Sequence, residues 1–253
     1  MILRPRDEAI IKMIYNYDRV MIEHLRRVFF PTRYDTCYKR LAKLVEGRYL
    51  TTQLLFPTTP MGAGKILIGL GIEGRRLIAE HYKKSVQSIP ILEPFKSGDK
   101  GQHHGAICHF RISLEQACRV RGDVSVIDWT TERHLQKQKL NPRPDGLFTL
   151  EWNGKTQDYR LEMDMDNHER WYMLENFKAY LKLPERSPVL YVVPSEKRKN
   201  YLLQWALAVA TKDHLDSSFI WVAVMPKNPL DYVWYAPNTP EAFPLLGGPW
   251  GSP

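Results

Sequence analysis

A chain of 253 residues, 43% of them hydrophobic, is long enough to build two cores. No apolar run approaches the roughly 20 residues that span a bilayer, and the N-terminal MILRPRDEAIIKMIYNY lacks the uninterrupted apolar stretch of a signal peptide. The formal charge of +8 sits in the first third, where residues 1–84 hold 16 Lys and Arg against 8 Asp and Glu, so the remainder is neutral. A basic module joined to a neutral one points to a polyanion, most simply nucleic acid, as partner of the first.

In chain order, Pro5 opens a helix carrying Ala9, Ile10, Met13, Ile14 and Tyr17 at helical spacing. Asp18 reads as the N-cap of a second short helix bearing Val20, Met21, Leu25 and Val28, which Pro31 stops. A third helix is expected from about Arg33 to Glu46. It has Tyr34, Cys37, Tyr38, Leu41, Leu44 and Val45 inward, and Thr36, Lys39, Arg40 and Lys43 on its outer face. Gly47 is the expected C-terminal cap. YLTTQLLF and ILIGL then read as two strands around the loop PTTPMGAGK, which carries Lys65, and a helix over about 72–83 ends the module.

Three helices and a two-stranded hairpin is the order of a winged helix-turn-helix. Its third helix enters the DNA major groove and its wing touches the backbone. On that reading Thr36, Lys39, Arg40 and Lys43 face DNA, and Arg33 and Lys65 contact phosphate. The competing reading is a protein-interaction adaptor whose basic helix face is simply solvated.

Residues 85–103 are rich in Ser, Pro and Gly and read as a linker between domains 1–84 and 104–240, with 241–253 as a flexible tail. His103, His104 and His109 lack an acidic or thiol partner at ligand spacing and read as exposed residues near a helix start rather than as a metal site. Cys37, Cys108 and Cys118 form no CxxC, which suits a reducing cytoplasm. In the second domain a helix is expected over about 104–120, then a short strand at VSVIDW and a helical TERHLQKQ. LFTLEW and DYRLEM around Asn153-Gly154 give a strong hairpin signal. Asp166 and Glu169 have capping-box spacing ahead of a helix that ends before Pro184. SPVLYVVP, EKRKNYLLQWALAVATKD, SSFIWVAVMP and DYVWYAPN follow as strand, helix, strand and strand. The expected class is α/β, with helices covering a mixed sheet.

Glu162 and Asp164 are two apart on one strand and leave the same face, and Asp145 enters the neighbouring strand. Carboxylates converging from adjacent strands can hold Mg²⁺ or Mn²⁺ and activate water against a phosphodiester. Against this, Pro144-Asp145-Gly146 is an ordinary turn tripeptide, and Glu162 and Asp164 alternate with Tyr159, Leu161, Met163 and Met165 as the solvent face of an amphipathic strand would. Spacing alone leaves both readings open.

The PDG of the first hairpin strand and the LEMD of the second resemble the PD-(D/E)XK nuclease-like core. More narrowly, RPDGLFTL, then YRLEMDMDNHERWYMLENFKAYLKL, then VLYVVPS behind a winged helix resembles the replication-relaxation family of plasmids and other mobile elements, over about 5–225. The resemblance implies a DNA-binding accessory protein in replication or in nicking and relaxation at an origin, with double-stranded DNA and a relaxase or replication initiator as partners. It also implies a cytoplasmic place with the bacterial nucleoid or a plasmid.

The chain departs from the active nuclease pattern, because Asp164 stands where a lysine would help position the water. Lys178 on the next helix is the candidate substitute, and Glu132 in TTERHL the candidate upstream acid; each also reads as an ordinary surface residue. The reading favoured is therefore a binding protein with a degenerate nuclease-like domain, needing no cofactor to bind DNA. The alternative is an Mg- or Mn-dependent endonuclease using Asp145, Glu162, Asp164 and Lys178. MGAGK lacks P-loop spacing. A winged helix can dimerise on a palindrome, although no heptad repeat marks an interface.

Overall fold

Pro5 does open the first helix, α1 (Pro5–Asn16), in a computed structural model that describes residues 2–32, 34–55 and 65–248. The chain divides into two units, Met1–His109 and Phe110–Pro253. The first unit continues with β1 (Val20–Met21), α2 (Ile22–Phe29), α3 (Tyr34–Glu46), β2 (Leu50–Leu55), β3 (Lys65–Leu70) and α4 (Ile72–His81). Its sheet is antiparallel in the order β1-β3-β2. Ile10, Ile14, Leu25, Cys37, Leu41 and Leu44 are buried from α1, α2 and α3 as the helical periods predicted, while Ile11 is buried in place of the expected Ala9, which is exposed.

Local details differ from the sequence reading. Asp18 does not cap α2; it has a left-handed backbone with φ of 63°, and two strand residues intervene before the helix. The N-cap is Met21, whose N–H donates to Nδ1 of His24 at 3.3 Å. A neutral imidazole thus takes the part that a Glu plays in a capping box. Burial, with smaller contributions from His109, His104, Arg27 and Lys65, pushes the His24 pKa down to about 3, so that acceptor is kept. After α3 the left-handed residue is Arg48, with φ of 58°, rather than Gly47. Gly74 is required for a different reason: a Cβ there would lie 2.2 Å from the Tyr49 carbonyl oxygen.

Arg40 is also placed differently. It was expected on the outer face of α3 but turns onto α1, where its Nε donates to Asp7 Oδ1 at 2.8 Å and its Nη2 to Asp7 Oδ2. Asp7 also accepts from the Arg4 backbone N–H at 2.7 Å, capping α1. Burial raises the Asp7 carboxyl, but the bonds from Arg40 and Arg4 outweigh it and hold the group below its ordinary pKa. A fork-shaped cation satisfies both carboxylate oxygens with fixed geometry.

Residues 85–103, read as a linker, fall within the first unit, and hydrogen bonds tie part of this stretch to its helices and strands. Arg75 donates to the carbonyls of Ile89 and Val86, and the Gln53 amide exchanges two bonds with the Phe95 backbone at 2.9 and 3.1 Å. The helix α5 (Gly98–Arg121) starts earlier than its apolar period indicated. His103, His104 and His109 lie inside it, half-buried rather than exposed.

The second unit contains β4 (Val124–Thr131), α6 (Glu132–Leu135), β5 (Gly146–Trp152), β6 (Lys155–Met163), α7 (Arg170–Leu181), β7 (Val189–Val193), α8 (Glu196–Asp213) and β8 (Ile220–Val224). These make a five-stranded mixed sheet in the order β4-β5-β6-β7-β8, antiparallel up to β6 and parallel beyond it. Asn153 and Gly154 both have positive φ, 50° and 72°, the two-residue turn that an Asn-Gly pair predicts. On one face of the sheet, α7 and α8 bury Phe177, Tyr180, Leu202 and Ala206 against Val189, Tyr191, Val193 and Val222. On the other, Trp129, Phe148 and Tyr159 stack across three strands at 5.0 and 5.1 Å.

DYVWYAPN forms only isolated bridges, Val222 to Tyr235 and Trp234 to Phe243, rather than a strand. The caps of α7 also differ from expectation: Glu169 is the N-cap, and Asp166 takes a φ of 61°. From the stretch read as a tail, Phe243, Leu245 and Leu246 are buried, and the Tyr159 hydroxyl donates to the Leu245 carbonyl at 3.1 Å. Residues 249–253 lie outside the described residues.

Removing Arg40 strands a shielded carboxylate, so Arg40→Ala should cost about 2–3 kcal/mol in urea unfolding. Lys39→Ala, on the exposed face, should change stability by less than about 0.5 kcal/mol. The Asp7 contribution is present above the ordinary carboxylate pKa and is lost as pH falls through the lowered value. The gap between the two variants should therefore narrow in acid. Equal stabilities at neutral pH would show that the clamp carries no weight.

Candidate functional site

Strand register and the turns beside it bring Asp145 close to both Glu132 and Glu162. Thr131, the last residue of β4, pairs with Gly146, the first of β5, and Gly146 pairs with Leu161 of β6. One step further along come Glu132, the first residue of α6, Asp145, just ahead of β5, and Glu162 of β6. Directly opposed residues share a face of the sheet. Carboxylate oxygens of Glu132 and Asp145 lie within 4.8 Å of one another. Asp145 is fixed by its backbone N–H to the Leu161 carbonyl at 2.9 Å and by accepting the Met163 N–H at 2.7 Å. This explains why a turn residue can be held in place.

Glu162 is not on a solvent face. It is half-buried beneath α7, and Oε1 accepts the Tyr180 hydroxyl. Burial raises its pKa well above the ordinary carboxylate value. The charge of Asp145 adds to this, the hydrogen bonds from Tyr180 and Asn176 oppose it, and Asp164 contributes a smaller rise. Tyr191, opposite Glu162 on β7, donates in turn to Asn176 Oδ1. The phenols of Tyr180 and Tyr191 are pushed up, first by burial and then by the Glu162 charge, and so stay protonated donors.

The third expected ligand has another role. Asp164 is buried and accepts Arg198 Nε at 2.6 Å and the Asp166 N–H at 2.9 Å. Arg198, from α8, also donates to the His168 carbonyl at 3.0 Å and pairs with Asp166 at 3.1 Å. A carboxylate neutralised by a buried guanidinium is a weak competitor for a divalent cation. Lys178 lies on α7 two residues past Asn176, about 200° around the helix from the side that bonds Glu162. Its place is thus away from these carboxylates.

The groups that reach Glu162 were missed from sequence, yet left a signal. Tyr172, Asn176 and Tyr180 repeat every four residues and make a polar stripe on α7. Burial, then the charges of Glu162 and Asp145, raise the Tyr172 phenol, so the stripe runs along the carboxylates. Arg198 left no such signal, since it is one base in the run EKRK.

On the first unit, Thr36, Lys39 and Lys43 are exposed on one side of α3, and Lys65 is exposed at the start of β3. Arg33 and residues 57–64 of the loop between β2 and β3 lie outside the described residues. Among the described residues no helix is long and apolar enough to cross a membrane.

The family model for replication-relaxation matches residues 11–188, about 70% of the chain and the span that contains these carboxylates. The chain belongs to the replication-relaxation family. That membership points to a role in replication of plasmids or other mobile elements. No curated protein and no solved structure matches the chain.

The raised pKa of Glu162 implies a stability cost at neutral pH, where the carboxyl is held against its solution preference. Glu162→Gln should therefore raise the melting temperature at pH 7. The gain should shrink as pH falls toward 4.5, below which the carboxyl is protonated in folded and unfolded chains alike. Melting curves of both proteins across that range test this, and a Gln variant less stable at pH 7 would contradict it.

Proposed function

We propose that the protein is a double-stranded DNA-binding accessory of a mobile element, acting in replication, origin relaxation or transcription control. In this reading the first unit is a winged helix that lays α3 in the major groove. The observation that carries it is the exposed Thr36-Lys39-Lys43 face on α3, beside an antiparallel hairpin, in the part of the chain that holds all the excess charge. Arg40 is withdrawn from the contact surface because it clamps Asp7; Lys65 remains a phosphate contact. The second unit is then a PD-(D/E)XK-like domain that serves as a scaffold, or as a second contact surface for a relaxase or replication initiator.

A metal-dependent endonuclease is the second reading, favoured by the closeness of Asp145 to both Glu132 and Glu162. Asp145 raises the Glu162 pKa and lies within 4.8 Å of a Glu132 oxygen, and oxygen donors so placed suit a hard divalent cation such as Mg²⁺ or Mn²⁺. Such an ion would supply water activation and charge neutralisation at a phosphodiester. What weighs against it is the cationic helper: position 164 is an acid paired with Arg198, and Lys178 projects from another side of α7.

Gel shifts with duplex DNA at several salt concentrations, run beside supercoiled-plasmid assays with Mg²⁺ or Mn²⁺, separate the readings. Lys39→Ala/Lys43→Ala should weaken duplex binding at least about ten-fold and reduce the slope of log K against log salt by about 2. Wild type should bind without cutting. Cleavage that is lost in Asp145→Ala and Glu162→Ala, with binding kept, would establish the endonuclease. Duplex affinity indifferent to the lysine pair would overturn the winged-helix contact.

A further inference from the structure

The second unit also carries an exposed aromatic surface that adjoins the carboxylates through Tyr172. At the start of α7, His168 stacks on Tyr172 with centroids 4.5 Å apart, and Trp171 sets its ring edge-on to Tyr172 at 6.0 Å. On α8, Tyr201 and Trp205 stack at 5.6 Å with planes 5° from parallel. Two guanidiniums join the sets. Arg170 and Arg198 both lie over Trp205, at 6.0 and 5.3 Å, and Arg198 is the residue that bonds the His168 carbonyl. Asp164 and Asp166 anchor that arginine from below.

Trp171 is 64% exposed, and Tyr172 and Tyr201 are exposed beside it. Rings of this size, clustered in water, mark an interaction surface. Of the neighbouring acids, Glu169 accepts from the Trp171 indole N–H at 2.7 Å and keeps its charge, whereas Glu196 pairs with Lys199 at 2.7 Å. Lys197 lies over the Tyr201 ring at 5.8 Å.

Rings interleaved with guanidinium and ammonium groups match a partner that has planar bases on a phosphate chain. A duplex hides the faces of its bases, and an apolar peptide has no use for the cations. We propose that this surface binds single-stranded DNA, with bases stacked on Trp171 and Tyr201 and phosphates neutralised by Arg170 and Lys197. Only the choice of DNA rests on the reading given under Proposed function. Because Tyr172 belongs both to this surface and to the stripe along Glu162 and Asp145, a strand held here runs beside those carboxylates.

The test is fluorescence anisotropy of the full chain with a labelled oligothymidylate of about 15 nucleotides, beside a duplex of equal length. Trp171→Ala and Tyr201→Ala should each weaken oligothymidylate binding about ten-fold, the double variant more, and Trp171→Phe much less. Duplex affinity should stay within about two-fold of wild type in all of them, since duplex contact lies elsewhere. The inference is overturned if wild type does not bind oligothymidylate. It is also overturned if the double variant, with an unchanged melting curve, binds as tightly as wild type. Tighter binding of an oligouridylate overturns the choice of DNA. A wild type that binds oligothymidylate but no duplex supports this inference and overturns the winged-helix contact instead.

Discussion

The two-residue turn at Asn153 and Gly154 sets β5 against β6, and the placement of the candidate groups in the second unit depends on that register. Both residues need positive φ, which Asn tolerates and Gly adopts freely. From Trp152 opposite Lys155, seven pairs run unbroken to Gly146 opposite Leu161. The next step along brings Asp145 beside Glu162. A slip of one residue would turn Glu162 into the aromatic face beneath Trp234 and Phe243, and Tyr159 and Leu161 out of it. The stacked rings of Trp129, Phe148 and Tyr159 resist such a slip, because their registry and that of the carboxylates are one geometric fact.

Three shielded acids illustrate different electrostatic outcomes. Asp7 and Asp164 each meet an arginine, in geometry that satisfies the carboxylate oxygens, and each ties together elements distant in sequence. Glu162 meets Asp145 instead, and neutral donors from Tyr180 and Asn176 only partly offset the repulsion. A fold selected for stability alone would not keep that arrangement, since an uncharged residue of similar shape fits the same hydrogen bonds. The strain lies where Glu162 meets Asp145, and a cation or another charge-bearing partner there would relieve it.

The aromatic surface on α7 and α8 and the carboxylates share an architectural cause. Parallel crossovers put both helices on one face of the sheet, over β6, β7 and β8. Arg198 reaches from α8 to the end of β6, so the ion pair that buries Asp164 also aligns the two sets of rings. Changing Asp164 would therefore disturb the surface as well as the strand end.

Much of this was legible in the sequence, where local chemistry decides the outcome. Pro5, the helical periods of α1 and α3, the Asn-Gly hairpin and the apolar run of β7 specify their elements with little outside help. The family match was signalled by short motifs around Asp145 and Glu162. Caps were less legible: Met21 with His24, and Arg48 in place of Gly47, depend on how neighbouring elements bury those residues. Most distant from sequence were the roles of charged side chains. Lys39 and Arg40 are adjacent in the chain, yet one is exposed and the other clamps α1. Asp164 is two residues from Glu162, yet only Asp164 meets an arginine, thirty-odd positions on. Periodicity determines which side of an element a residue leaves. Which charge waits on that side is set by packing across the fold, and only the tertiary structure decides it.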